Sequence, residues 1–493
     1  MKKDMKKIAL FYFLTAALVL YSCKNLLEED PKSIIAADKF YKTEDDAKAA
    51  ANAISSTLRT PFLYNLRYFV HTTPLEDYAS GQGFYIPLSK YQIPPPMMVV
   101  TEGIWTGFYK TIDEANRVLK YVPPISMDEK TKTQLLGEAF FYRAFSYFHL
   151  VKNFGGVPIR TEPALTIDAA GGKRETATKV YEQIMADLKQ AEAALPETSS
   201  ENGRPTSGAA KIMWADVYLV REKWADARDK ANEVIASKRY SLVSVRQSSD
   251  FEKIFGAEVI ASSEEVFSVK FQRSVAGGSY LPQFYHLPTS QWATGGFGTF
   301  FGFPTYPLLR DWPDADLRKG FNLYTAGPNK QGVIQPNSDI QPIRFGKFKD
   351  SSAPAAGAHG NDFPIYRYPE ALLIYAEAAS QANQGPTPLA VERLNMVHRR
   401  AYGFDPSVPS VADYRIDGLT AAAFRDVVLK ERAYEFLVEG KRWHDLIRTG
   451  TAQQVIKASK GIDIPGSILL FPIPKQEIDN NPDIEITDQN PGY

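Results

Sequence analysis

The sequence predicts an all-α fold: a scaffold of repeated helix pairs carrying long irregular loops and a few short strands. Apolar residues recur at helical spacing in two groups of segments, one on each side of the chain's middle. Within them, Ala215, Tyr218 and Ala227 of 206–237 fit the small and aromatic positions of a tetratricopeptide-type hairpin. Residues 372–382 and 389–401 form a similar pair. Between the groups helical periodicity lapses, and Gly, Pro and aromatic rings take over.

The chain opens with Lys2, Lys3, Lys6 and Lys7, an apolar run Ile8–Leu20, then Tyr21, Ser22 and Cys23, which is the single cysteine. A basic start and an apolar run too short to span a bilayer comfortably make 1–22 a secretory leader. A thiol directly after the cleavage point, with Leu20 three residues before it, resembles a bacterial lipoprotein signal. Cys23 is then the lipidated N-terminus. Residues 23–35, with Glu28, Glu29 and Asp30, read as a tether, and several acyl chains on one Cys anchor a protein stably without a spanning helix.

Residues 36–240 form the N-terminal helical region. Helices are expected over 43–60, from Trp105 to Pro123, over 132–154 and 177–195, and as a pair in 206–237 broken near Glu222. Between Pro61 and Gly103, a run with His71, Asp77, Tyr85, Tyr91 and three prolines from Pro94 reads as one long loop, and loops of that length are commonly functional. Residues 241–366 are expected to be the loop-rich ligand-binding region. Val266–Phe271 alternates like a short strand. Tyr280–Trp312 is dense in rings, among them Phe284, Tyr285, Trp292, Phe297, Phe300, Phe301, Phe303 and Tyr306.

Residues 367–493 form the C-terminal helical region. Its organising stretch, 430–449, reads as one amphipathic helix, with Leu429, Ala433, Phe436, Gly440, Trp443 and Ile447 on one stripe at about 100° per residue. Thr420 can cap its start, and Gly450 its end. Glu431, Glu435, Glu439, Arg442 and Asp445 line the other face. No His or Cys stands at nucleophile or ligand spacing among them, so they read as structural ion pairs on a buried helix and not as a catalytic cluster.

Lys plus Arg equals Asp plus Glu, 57 each, so the chain lacks the basic surplus of a nucleic-acid binder. The six His show no His-x-x-x-His spacing of a zinc protease. Gly295, Gly296 and Gly298 lack the strand-to-helix context of a phosphate loop. Asp311, Asp314 and Asp316 miss the spacing of an EF-hand and read as a solvated acidic turn. No cofactor or metal is expected. The positive signal is the ring-rich loops: Trp and Tyr present flat apolar faces with polar edges, suited to sugar rings or peptide side chains.

The C-terminal stretch identifies the relationship. Glu431-Arg432, Glu435-Phe436, Glu439-Gly440, Arg442, Asp445-Leu446 and Arg448-Thr449-Gly450 resemble the helix pattern of the SusD/RagB family, the nutrient-binding surface lipoproteins of Bacteroidetes. So do the tail blocks 471–474, 477–482 and 489–493, the block 137–158 with Arg143 and Tyr147, and Trp105, Tyr109, Ile112 and Asn116. Ala376-Glu377-Ala378, Asn395 and Arg400-Ala401 match as well, with His398 where Arg is common. The resemblance implies a helical-repeat scaffold, an oligosaccharide ligand and no enzyme activity. It also implies a SusC-like TonB-dependent transporter as partner, and a cell-surface location on the outer membrane through the lipid anchor. It places ligand-binding aromatics in the loop before the Trp105 helix and in the irregular middle. Tyr85, Tyr91, Tyr285, Trp292 and Trp312 are the expected stacking residues, with Asp77 and Gln291 for hydroxyl contacts. A peptide ligand and, behind it, a surface-anchored glycoside hydrolase using two carboxylates are the alternatives.

Overall fold

In the computed structural model the described residues are 40–165, 171–415 and 418–493. The expected leader, Cys23 and the tether 23–35 lie outside them. No helix among the described residues is long and apolar enough to cross a membrane.

The scaffold is all-α, as its periodicity implies. Its longer helices are α1 (Glu44–Leu58), α2 (Pro95–Tyr121), α3 (Glu129–Phe154), α4 (Ala177–Ala194), α5 (Ser207–Val220), α6 (Trp224–Ala236), α7 (Tyr368–Ala382), α8 (Pro388–Ala401), α9 (Ala421–Glu435), α10 (Arg442–Arg448) and α11 (Ala452–Lys460). Local chemistry sets their starts. Thr43 and Asp46 form a reciprocal capping box on α1, and Asp128, Thr176, Thr206, Thr387 and Thr420 cap α3, α4, α5, α8 and α9. The three prolines expected in a loop instead begin α2. Pro94 is its N-cap, and Pro95 and Pro96 occupy the first turn, where a missing N–H costs nothing. The loop therefore ends about ten residues earlier than the proline run suggested, and short helical turns such as Arg67–Thr72 and Ile86–Ser89 interrupt what remains.

Each helix packs on the next, α1 on α2, α2 on α3, α3 on α4, α4 on α5 and α5 on α6. The row then continues from α6 directly to α7, which also touches α8 and α9. The middle region is thus an excursion that leaves the row after Ala236 and returns at Tyr368 beside its point of departure.

Eight short strands lie in or against this excursion: β1 (Ser80–Gly81), β2 (Glu265–Val269), β3 (Phe300–Phe301), β4 (Leu323–Tyr324), β5 (Ala326–Pro328), β6 (Ile334–Pro336), β7 (Arg344–Phe345) and β8 (Phe363–Arg367). All pair antiparallel, as β1·β3, β2·β8, β4·β7 and β5·β6. The β2·β8 pair closes the neck of the excursion against α5.

The stretch 430–449 is two helices, not one. α9 stops at Glu435, Val438 and Gly440 take left-handed conformations at φ 55° and 70°, and α10 starts at Arg442. The apolar stripe persists because helices and turn bury the same side: Phe436, Leu437, Val438 and Trp443 are all buried. The tertiary contacts that replace helical bonding are visible. The Val438 amide donates to the Tyr78 hydroxyl (2.8 Å), and the turn aims Glu439 at Lys347 and Arg367 (2.7 Å each). Gly450 ends α10 in the left-handed conformation, as read from the sequence.

The acids of this stretch are paired structural ions. Glu431 meets Arg318 and His398, and Glu435 meets Arg318, Arg367 and Arg400. Arg442 holds Asp77, and Asp445 holds Arg432 and Arg448. Burial pushes the Glu431 carboxyl up, but Arg318 and His398 outweigh it and hold it at about 2. Arg367 ends β8 and Arg318 comes from the excursion, so the network rivets the excursion to α8 and α9.

Candidate binding site

The two segments singled out by their rings, the loop before α2 and the 280–312 run, are zipped together. Ser80 pairs with Phe301 and Gly81 with Phe300. The Gln82 amide donates to Thr299 O (3.0 Å), and its side-chain Nε2 donates to Gly298 O (3.0 Å) and Phe297 O (3.3 Å). Ser80 Oγ lies 2.7 Å from the Tyr306 hydroxyl, and the Tyr280 amide donates to Asn65 Oδ1 (3.0 Å). Gly81 is required here, because a Cβ would come within 2.9 Å of Tyr85 Cβ.

This zip raises a continuous ring surface. Phe84 is 50% exposed, Phe297 49% and Phe62 40%. Tyr85 is half-buried, edge-on to Phe84 (5.3 Å between centroids) and to Phe300 (5.6 Å), and Phe284 beneath supports both Tyr85 and Phe297. Isolated exposed apolar residues are ordinary, but several rings from three chain segments on one surface are not.

Arg67 completes the surface. Its guanidinium lies 4.8 Å over the Phe62 ring, and a side chain at Gly103 of α2 would collide with it. Among the described residues it has no side-chain hydrogen bond and no ion pair. Burial lowers its pKa, opposed by the charge of Glu102, and it remains a cation with a planar fork of uncommitted donors. Aromatic faces beside such donors match the apolar faces and hydroxyl edges of sugar rings. Among the described residues no group of three or more His, Cys, Asp or Glu is placed to hold a metal ion.

Of the expected contact residues, only Tyr85 lies on this surface. The structure corrects four others by burying them. Asp77 makes a two-pronged ion pair with Arg442 (2.9 Å for both contacts). Tyr91 donates to Leu75 O (3.0 Å) and packs on Trp443. Tyr285 meets Thr73 Oγ1 (3.3 Å) inside the core, and Trp312 stacks on Tyr434 at 4.4 Å. Their rings and carboxylate are occupied by the protein itself. Gln291 and Trp292 remain accessible, but on a separate cavity. The acidic turn is solvated at Asp311 and Asp314 only; Asp316 is buried against Arg318. Phe62, Arg67 and Phe84 gave no signal in the sequence beyond lying in the loop before α2, and Phe297 none beyond the ring-rich run.

A family profile described as "Starch-binding associating with outer membrane" (SusD-like) matches residues 92–219, and that of the "SusD family" (SusD/RagB) matches 320–465. SusD-like protein P2 of Formosa agariphila is 27% identical, over 98% of this chain and 99% of its own. The chain belongs to the SusD/RagB family. Its fold is shared with a SusD homolog from Bacteroides thetaiotaomicron, 22% identical with a TM-score of 0.80, covering 93% of this chain and 98% of that one. It is shared also with surface glycan-binding protein A from the same species, solved in complex with laminarihexaose: 21% identity, TM-score 0.72, 91% of this chain and 100% of that one. The two matched family spans hold α2 to α5 and α7 to α11. The ring-rich 280–312 run falls between them.

Proposed function

We propose that this chain is a surface-exposed glycan-binding lipoprotein, anchored in the outer membrane through lipids on Cys23, that captures oligosaccharides and delivers them to a SusC-like TonB-dependent transporter. The observation that carries this reading is the ring surface itself: Phe62, Phe84, Tyr85 and Phe297, brought together by the β1·β3 zip around the uncommitted guanidinium of Arg67. The family membership supports it, as does the laminarihexaose complex of a relative with the same fold. A binding role is favoured over glycoside hydrolysis, because the carboxylates Glu431, Glu435 and Asp445 are sequestered in ion pairs inside the scaffold.

Calorimetry against a panel of neutral oligosaccharides, run on the soluble chain beside Phe84→Ala, Phe297→Ala and Arg67→Ala, tests the proposal. Each variant is expected to keep the parent's melting temperature and to weaken binding about tenfold, or ~1.4 kcal/mol. Affinity unchanged in all three variants would move the site elsewhere. Binding of short peptides with no glycan response would replace the ligand class.

A further inference from the structure

The loop that ends at Phe297 on the ring surface lines a second cavity with its earlier residues. This cavity, of about 580 Å³, is bounded by Gln291, Trp292, Arg273, Lys349, Ser351 and Ser352 together with the 252–259 turn. None of its lining residues comes from the loop before α2 that builds the ring surface.

Its walls are fixed by hydrogen bonds to main-chain carbonyls. The Asp350 amide donates to Trp292 O (2.8 Å), the Gln291 amide to Pro328 O (3.1 Å), and Thr294 Oγ1 to Ala353 O (2.8 Å). A cavity held this way is preorganised, so occupying it costs little ordering.

The charges that line it are matched, with two exceptions, Lys349 and the exposed Glu252. Arg273 is paired to Asp350 (2.8 Å) and to Glu258, and Lys347 to Glu439 (2.7 Å). Lys349 has no such partner. Its Nζ lies 4.4 Å over the Trp292 ring and 5.4 Å over Phe321, and among the described residues no carboxylate stands within 4.0 Å of it. Burial between the rings lowers its pKa, and the charge that opposes this comes from Glu252, an exposed residue. The rings hold the ammonium in place but do not neutralise it.

A neutral sugar entering here would offer Lys349 hydroxyl acceptors but no countercharge, whereas an anionic one would supply the missing counter-ion. We propose that this cavity is a second glycan subsite, one that takes a sugar bearing a carboxylate or a sulfate, with the acid group on Lys349 beside Trp292 and the hydroxyls near Gln291, Ser351 and Ser352. The proposal rests on the glycan-binding reading and adds to it a ligand class that the ring surface does not specify.

The test uses the soluble chain and three probes: a neutral laminari-oligosaccharide, an oligogalacturonate carrying carboxylates and a sulfated galactan oligosaccharide. Calorimetry is run at low and high salt on the parent, Lys349→Met and Lys349→Arg. At least one acidic probe is expected to bind the parent, and the probe that binds tells carboxylate from sulfate. Lys349→Met should weaken that probe about tenfold and flatten its salt dependence while leaving the melting temperature and any neutral-sugar affinity unchanged. Lys349→Arg should retain it. Acidic binding unaltered in Lys349→Met, or neutral binding with no response to either acidic probe, overturns the proposal. Silence from all three probes counts against the broader glycan reading as well.

Discussion

The loop before α2 buries Glu76 and His71, and the half-buried Lys460 of α11 reaches it to donate to Pro74 O (2.9 Å); none of the three forms an ion pair among the described residues. Burial pushes Glu76 up to about 8, although the Tyr78 hydroxyl donates to its carboxyl, and burial pushes Lys460 down to about 7 against the nearby Asp77 and Glu76. His71, with neither ring nitrogen hydrogen-bonded, is driven to about 3 and stays neutral against the Phe471 ring at 4.1 Å. Their pH dependences run in opposite directions. Glu76 binds its proton more tightly when folded, so its contribution is present below about pH 4.5 and is lost as pH rises through about 8. Lys460 is depressed, so its contribution is present above about pH 10.5 and is lost as pH falls through about 7. The isosteric Glu76→Gln variant removes only the first. Relative to the parent it should gain stability between pH 5 and pH 8, by up to a few kcal/mol at ~1.36 kcal/mol per pKa unit. Denaturant unfolding of both proteins at the two pH values reads this, and a parent-to-variant difference that does not change with pH would sink the assignment. At this scale the sequence was least informative. It marked the loop as long and ring-bearing, but whether Asp77 or Tyr91 faces ligand or core depends on partners such as Arg442 and Trp443, more than 350 residues away.

Among the elements, the α9–turn–α10 unit shows why periodicity locates a helix better than it delimits one. Its apolar stripe runs unbroken from Leu429 to Trp443, yet the backbone leaves the helix at Phe436, because Glu439 must reach Lys347 and Arg367 and Val438 must meet Tyr78. Such partners lie far off in the chain and leave no local signature. Proline misled in the opposite direction at α2, where Pro94–Pro96 suit a helix start as well as a loop. The role of Gly440 is also sharpened. A Cβ there would meet only ordinary contacts, 3.6 Å from Thr72 Oγ1, so the position needs Gly for its φ of 70° and not for close approach. Gly440→Ala should therefore cost about 1–2 kcal/mol, the strain of a left-handed residue. Glu439→Ala should cost more, about 3–5 kcal/mol, because it leaves Lys347 and Arg367 buried without that carboxylate. Both should leave glycan affinity unchanged wherever the protein stays folded. Paired unfolding and binding measurements check this, and a variant of normal stability that no longer binds would place the turn in the site.

In the whole molecule, the repeat scaffold was legible because its apolar face recurs within each helix, while the excursion was not, because its strands are two to five residues long and pair across the chain. The tail shows the same long-range dependence and carries the last prediction. After α11 the chain returns to the N-terminal helices. The Phe471 amide donates to Asn153 O (2.7 Å), and Asn490 Nδ2 donates to Phe154 O (3.0 Å) at the end of α3. Glu477 pairs with Arg160 (2.6 Å) and accepts from Trp105 Nε1 (3.3 Å), and Arg174 donates to Asp488 O (2.5 Å). The tail thus helps satisfy the carbonyls at the C-terminus of α3, where Arg174 also donates to Phe154 O (2.8 Å), and Phe471 packs edge-on against His71 of the loop before α2. Truncation after Gly466 removes all of this at once while touching none of Phe62, Arg67, Phe84, Tyr85 or Phe297. It should lower the melting temperature and weaken glycan binding together, whereas Phe84→Ala should weaken binding alone. If the truncated chain melts like the parent and binds like it, the loop before α2 does not depend on the tail, and the support attributed to Phe471 is wrong.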